Sequence, residues 1–578
     1  MKNIVLLSLM CYSLASFGQG FLHRNGQNIV DGNDKNVVLR GLGLGGWMIQ
    51  EGYMIQTGAF AGPQYKIKQK ITDLIGVENT EEFYKAYKAN GITKRDIDSL
   101  ASWGFNSVRL PMHYNLYTPA IENEKDGQIT WLDEGFTMTD NLLNWCAANK
   151  MYLILDLHGA PGGQGHDANI SDYDTSKPSL WESAANQDKM VALWKKLAQR
   201  YKDNPWIGGY DIINEPNWNF TGTNINGCDE TSNAPLKALL TRITKAIREV
   251  DSNHLIFIEG NCWGNNYNGI FPLWDENMAL SFHKYWNGNN QAAIQTMLDY
   301  RTKYNVPIWL GESGENSNVW FKEAISLFEN NNMGWAFWPM KKIENIAGVT
   351  SVRKTPEYEQ LLNYWKNGGT KPTEEFAKKA LMQIADNYKI ENVTIKPDVI
   401  DAMFRQVQTN DTKPYKNHKL PGKIFATEYD LGTNGFAYSD KDVANYEGTK
   451  FTPWNKGNQM RNDGVDIVKC TDKITNGFQV SFIGDGEWLQ FTVELKTPSA
   501  FDVAIRYSSE KVGGKLFLEQ DGKKISETIV LTSTGGETIW KTVFLKNVSL
   551  KKGSNKIRVH FEGGNFNLNY LEFKNSNE

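Results

Sequence analysis

Two carboxylates stand where an apolar segment stops: Glu215 in "IGGYDIINEPNW" and Glu312 in "PIWLGES". A carboxylate that only faces water needs no apolar lead-in. One that must be delivered into a cleft does. Two of them across a sugar can break a glycosidic bond. One protonates the leaving oxygen and the other attacks the anomeric carbon, when the carboxyl groups stand about 5–5.5 Å apart.

Other polar and aromatic side chains sit at the ends of similar apolar runs: Arg109, His113, His158, Asn214, His283, Tyr285 and Trp338. Three of the chain's eight histidines are among them. One polar residue at the end of a strand means little, because loops begin there anyway. Nine such residues from six runs indicate one shared site. Trp47, Trp263 and Trp320 follow three of the runs and are candidate sugar platforms, since a flat ring packs on the C–H face of a pyranose. Tyr114 and Glu315 are further candidates beside the site.

The elements that must position these groups can be read from the apolar pattern. Runs begin near 37, 105, 151, 207, 255, 278, 307 and 334, which makes eight. Stretches of helical period, such as "APLKALLTRITKAIREVDSN", lie between most of them. Eight near-continuous apolar strands alternating with helices predict an α/β fold, a parallel (β/α)8 barrel over 19–370. In such a barrel the site lies at the C-terminal ends of the strands. "NGQNIVDGNDKN" predicts a small hairpin ahead of the barrel.

Residues 371–419 read as a helical extension followed by a polar, Pro-containing linker. From 420 to 578, strands of period two such as "EWLQFTVEL" and "KIRVHFEGG" predict an all-β, jelly-roll-like sandwich.

Composition narrows the function. The net charge of −4 gives no basic footprint for nucleic acid. No apolar run reaches about 18 residues, so no transmembrane segment is expected. "MKNIVLLSLMCYSLASFGQG" reads as a signal peptide over 1–18, which predicts export to the outside, the periplasm or the cell surface. Export permits a disulfide between Cys228 and Cys262. No CxxC or HExxH spacing suggests a metal site, and no cofactor is required for the chemistry above. "GLGLGG" fits GxGxxG, but no helix clearly opens there and no acidic residue follows about 20 positions on, which argues against dinucleotide binding.

The ordered set "FNSVRLP", "DLHGAPGG", "NEP", "HKY", "GES" and "FWP" resembles the signatures of glycoside hydrolase family 5, over roughly 21–370. The resemblance implies that Glu215 is the acid/base and Glu312 the nucleophile. It implies that Arg109 and Tyr285 hydrogen-bond Glu312, that Asn214 holds the sugar 2-hydroxyl, and that His283 sits beside Glu215. His158 would bind the sugar, and Trp338 would be the floor beneath it. "DLHGAPGGQG" and "LRGLGLGGW" look more like the branch that cuts β-1,3-glucans than like typical cellulases. A secreted, retaining β-glucanase acting as a monomer on β-glucan is therefore expected. A cellulase or other β-1,4-glycanase is the alternative, and a non-catalytic glycan-binding protein the reading from another class.

"PGKIFATEYDLGTNGFAYSD" and "GGNFNLNYLEF" resemble carbohydrate-binding module family 6. The resemblance makes Asn567 the polar sugar contact of the module. It also places Met460 and Glu537 where that family carries aromatic rings. Phe425 and Thr427 replace the acidic pair often linked to a structural calcium, which puts that site in question.

Overall fold

The computed structural model describes residues 20–125, 127–444 and 454–576. The expected signal peptide lies outside the described residues.

The eight apolar runs are eight strands: β1 (Arg40–Gly43), β2 (Ser107–His113), β3 (Tyr152–Gly159), β4 (Ile207–Asp211), β5 (Ile256–Glu259), β6 (Met278–Lys284), β7 (Ile308–Gly314) and β8 (Gly334–Trp338). They pair in chain order, and β8 returns to β1 to close a barrel. The strand–strand pairings are all parallel. All but β1 are buried along their whole length, which explains runs that are apolar throughout instead of alternating.

The predicted hairpin forms from His23–Asn25 and Asn28–Val30. Beside it, Leu22, Ile29 and Leu39 pack with Ile154, Phe257 and Trp309 and cover the bottom of the barrel. The long gap after β1 holds two helices, Gln64–Gly91 and Lys94–Trp103. The second opens on a capping box in which Thr93 and Asp96 satisfy each other's backbone N–H groups.

Helix Glu374–Asn387 lies along helix Gln64–Gly91, and its Leu381 and Ile384 share a core with Ile71 and Phe83. The stretch expected to be a linker is not a free spacer. Lys413 exchanges backbone hydrogen bonds with Leu431, and His418 bridges to Val493.

The C-terminal region folds as two facing sheets of six strands. Tyr507, Leu545 and Leu571 of one sheet meet Leu516, Val559 and Phe561 of the other in a single core. Period two in the sequence therefore marks the inward faces of a sandwich, as predicted.

Candidate active site

The cleft at the C-terminal end of the barrel has a volume of about 460 Å³. Glu215, Glu312, His158, His283, Tyr285, Trp263 and Trp338 line it, together with Glu51, Tyr53, Trp286 and Glu315. An oxygen of Glu215, an oxygen of Glu312 and a ring nitrogen of His283 all lie within 4.8 Å of one another.

Glu312 is held from two sides. Tyr285 donates to its Oε1 at 2.7 Å, and the Arg109 guanidinium donates to its Oε2 at 2.9 Å. Pairing slips by one position between Phe282 and His283, so His283 lies level with Glu312 on the neighbouring strand. His283 Nδ1 is 2.6 Å from Glu215 Oε1, and its Nε2 is 3.1 Å from Glu259 Oε1.

Glu215 has φ +45°, a left-handed conformation that is costly for a side chain of its size, on the order of 1–3 kcal/mol. Glu259 offsets that cost by accepting the Glu215 N–H at 2.7 Å. Gln164 fixes the preceding peptide by donating to the Asn214 carbonyl at 2.9 Å. The loops after β4 and β5 are joined by the Cys228–Cys262 disulfide. Trp263, next to Cys262 and itself at φ +53°, donates its N–H to the Pro216 carbonyl at 3.1 Å. The carboxylate that ends the fourth apolar run is thus aimed by a strained peptide and clamped from β5.

Beneath the cleft lies a dry charge cluster. Arg109 is fully buried and within 3.3 Å of Asp156, Asp211, Glu259 and Glu312. It also donates to Asn214 Oδ1 at 2.9 Å. Burial disfavours charge on His283, but Glu259, Glu312 and Glu215 outweigh it and hold its pKa well above the ordinary value. Burial alone would raise Glu259. The charges of His283 and Arg109 and the hydrogen bonds it accepts prevail and keep it below the usual carboxylate range. Burial pushes Asp211 well up despite Arg109, with Glu259 and Asp156 adding to the push.

On the other wall, His158 stacks on Trp338 with ring planes 2° apart and centroids 5.2 Å apart. Its Nδ1 is 2.9 Å from Asp156 Oδ2. Burial works against the imidazolium, but the charge of Asp156 and hydrogen bonds to Asp156 and Glu51 push His158 up to about 10. Burial pushes Glu51 up to about 7, with His158 pulling the other way. The glycine run before this wall has a packing reason. A Cβ on Gly43 or Gly45 would come within 2.7 or 2.3 Å of the Trp338 ring. "GLGLGG" thus makes room for the cleft floor.

Three candidates are corrected. Trp320 is fully buried in the helix after β7, its indole N–H donating to the Asn287 carbonyl, and cannot be a sugar platform. Trp47 is likewise core, bonded to the Lys88 carbonyl. His113 lies outside the cleft, in a neighbouring cavity of about 590 Å³ that Tyr114 also lines. Its Nδ1 accepts the Asn115 N–H and its Nε2 faces Asp172 at 3.0 Å, so it ties two loops together.

Sequence reasoning missed Glu51, Tyr53, Glu259 and Trp286. Glu259 ends the run "LIFIEGN" just as Glu215 ends its own, and that signal was available. Glu51 and Tyr53 lie in a loop several residues beyond β1, where no strand end marks them.

Glu215, His283 and Glu312 also have the composition of a small cation site. Glu215 is bonded to His283, and Glu312 to Tyr285 and Arg109, so each carboxylate already has protein partners.

In the sandwich, Asn567 lies at a polar pocket of about 610 Å³ together with Glu537 and Phe482. Its amide donates to Ser508 Oγ at 3.1 Å. Met460 is not part of that pocket. Its side chain packs on the sandwich core, and its carbonyl accepts from Lys396 of the helical extension at 2.9 Å. Phe482 and Phe566 both line the pocket; Phe566 is buried, and Phe482 is 61% exposed. Phe425 packs on Tyr570, and the Thr427 hydroxyl accepts from Asn476, so these two residues do not fit a calcium site.

Residues 65–343 match the family model "Cellulase (glycosyl hydrolase family 5)", and residues 458–575 match "Carbohydrate binding module (family 6)". A Phanerodontia chrysosporium protein named Beta-xylosidase is 29% identical over 378 residues, 59% of this chain and 75% of that protein. Endoglucanase C of Acetivibrio thermocellus is 25% identical over 353 residues, 50% of this chain and 94% of its own. Probable glucan 1,3-beta-glucosidase A of Aspergillus clavatus is 24% identical over 260 residues, 44% of this chain and 57% of its own. With two carboxylates and their hydrogen-bonding partners at the mouth, the barrel belongs to glycosyl hydrolase family 5, the sandwich belongs to the family 6 carbohydrate-binding modules, and the chain is a glycoside hydrolase.

Proposed function

We propose that the chain is an exported, retaining β-glycosidase that cuts β-glucan, with β-1,3 linkages favoured. The observation that carries the mechanism is the 4.8 Å grouping of Glu215, His283 and Glu312. Inverting enzymes hold their carboxyl groups about 6.5–9.5 Å apart to admit a water between acid and base. A closer pair leaves room for direct attack.

Glu312, aimed by Tyr285 and Arg109, attacks the anomeric carbon while Glu215 protonates the departing oxygen. The bond to the leaving sugar breaks and a glycosyl ester forms on Glu312. Glu215, now a carboxylate, takes a proton from water as the water attacks the same carbon, and Glu312 is released. Two inversions give net retention. Trp338 and Trp263 offer the aromatic faces along the cleft; Asn214 lies behind its lining, its oxygen held by Arg109 and its amide nitrogen 3.3 Å from His158 Nε2.

The β-1,3 preference rests on the two segments quoted above, and the relative from Aspergillus clavatus carries a name that agrees with it. Endoglucanase C carries a glucanase name that states no linkage. Export is supported by the Cys228–Cys262 disulfide, since such bonds persist in oxidising compartments. Proton NMR of the first products tests the mechanism: the β-anomer is expected first, and a first-formed α-anomer contradicts double displacement. A panel of β-1,3, β-1,4, β-1,6 and mixed-linkage glucans with product sizing tests the linkage.

A further inference from the structure

The segment after the proposed nucleophile is gripped by the sandwich. Asn316, Ser317 and Asn318, which lie between β7 and helix Asn318–Asn330, are all buried. Asn462, from the sandwich, uses every polar atom it has at this place. Its amide nitrogen donates to the Asn316 carbonyl at 2.8 Å and to Asn318 Oδ1 at 3.1 Å. Its carbonyl accepts the Asn318 N–H at 3.1 Å. Its own N–H donates to Asp398 at 2.8 Å, and its side-chain oxygen accepts from the Trp454 indole at 3.0 Å.

A second layer locks the first. Asn318 donates to Asp398 at 3.0 Å and to Asp463 at 2.9 Å. Asp463 is in turn paired with the buried Arg461, whose guanidinium lies 3.6 Å from the centroid of the Tyr429 ring. Ser317 donates to the Ala444 carbonyl, and Val319, Ala347, Ala444 and Trp454 form a small apolar contact alongside.

The gripped segment begins one residue after Glu315, which lines the cleft at φ +51°. Glu315 accepts from Lys342 at 2.7 Å and from the Tyr53 hydroxyl at 3.2 Å. That hydroxyl in turn accepts from the Trp338 indole at 2.7 Å. Hydrogen bonds on either side of the Glu315–Asn316 peptide thus join the sandwich to the floor of the cleft.

We propose that Asn462 is a positioning residue for the substrate cleft: by clasping residues 316–318 it sets Glu315 against Tyr53 and Trp338, and the sandwich completes the barrel mouth instead of hanging from it. The proposal rests on the glycosidase reading for its kinetic readout. Nothing in it requires the sandwich to bind glycan.

The test is Asn462→Ser in the full chain, assayed on an aryl β-glycoside too small to bridge to the sandwich pocket. KM is expected to rise roughly tenfold, with kcat changed less than about threefold, because Glu312 keeps Tyr285 and Arg109. The same substitution made in Glu315→Gln is expected to add little, since both act through one residue. Amide exchange of residues 315–318 reads the clasp without turnover and should speed up at least tenfold in Asn462→Ser. Unchanged KM, additive losses in the double variant, or unchanged exchange each overturn the proposal. Lack of any turnover by the unaltered chain condemns the glycosidase reading instead, and the exchange result still decides the clasp.

Discussion

The barrel cleft and the sandwich pocket are comparable in size, about 460 and 610 Å³, yet they are built in opposite ways. In the cleft, the acting groups are buried and fixed: Glu215, Glu312 and His283 are each 6% exposed or less. Each is hydrogen-bonded to a neighbour that is itself hydrogen-bonded. In the sandwich pocket, Phe482 stands 61% exposed, and Lys456, Lys469 and Lys511 in the lining are exposed as well. The difference follows from the task. Stabilising a developing charge needs dipoles and ions already in place. Holding a neutral sugar needs one ring and one amide.

The largest effects are therefore expected in the cleft. Glu312→Ala removes the carboxylate proposed to attack and should lower turnover by at least about 10⁴-fold, with the fold intact by circular dichroism. Glu215→Ala should behave differently. It should spare substrates with good leaving groups in the first step, which need little protonation, and fail on unactivated glucan. Equal losses on both substrates would reverse or remove the assigned roles.

Glu259 sharpens the contrast, because it is preorganisation alone. It touches no cleft space, but it takes the Glu215 N–H and faces both Arg109 and His283. Glu259→Gln exchanges one acceptor oxygen for a donor in a dry, charged cluster. A loss of about 3 kcal/mol in stability is expected, the scale of a broken buried ion pair. A fall in kcat of about 10²-fold should accompany it as Glu215 loses its aim. Urea unfolding and steady-state kinetics measure the two. Unchanged kcat would mean that the strained Glu215 peptide holds itself.

The barrel could be read from the sequence because each strand is buried on both faces and writes itself as an unbroken apolar run. The two catalytic candidates were readable for the same reason: polarity begins abruptly where the run ends. Glu51 and Tyr53 were not, because no run leads into them and their loop is shaped by Gly52 packing against Ala61 and Gly62. Trp320 misled because a tryptophan soon after a strand can begin a helix and turn inward as easily as face the mouth. His113 ends β2 but faces Asp172 and not the cleft, an orientation that strand alternation alone does not fix. In the sandwich, the backbone contact of Met460 with Lys396 reflects docking between two regions, which no local pattern records.

A smaller effect concerns pH. The pKa of His158 stands at about 10, well above the unfolded value of about 6.5. Its contribution to stability is complete below that unfolded value and fades as pH rises through about 10. Glu51 stands at about 7, above an unfolded value of about 4.3, so it too loses stability as pH rises, between those two values. Both slopes have the same sign, and the Glu51 step alone is worth about 3 kcal/mol. Melting temperatures at pH 5, 7 and 9 should fall more steeply for the natural chain than for Glu51→Gln. Parallel curves would show that the carboxyl is not held in its neutral form.

The smallest expected effect belongs to the sandwich. The exposed ring at its pocket is Phe482, with the oriented amide of Asn567 and with Glu537 also in the lining. A ring that packs on a sugar adds about 0.5–1.5 kcal/mol beyond the area it covers when the contact is well formed. An exposed ring beside a carboxylate that must stay hydrated lies near the lower end. Phe482→Ala should therefore weaken binding of β-glucan oligosaccharides by about three- to tenfold, and Asn567→Ala by a similar factor. Both are measured by calorimetry in full-length Glu312→Ala, so that turnover does not consume the ligand. Met460→Ala should leave that affinity unchanged, because Met460 does not line the pocket. If Met460→Ala weakens binding while Phe482→Ala does not, the sugar sits elsewhere and the contrast between a fixed catalytic cleft and a loosely built binding pocket loses its second term.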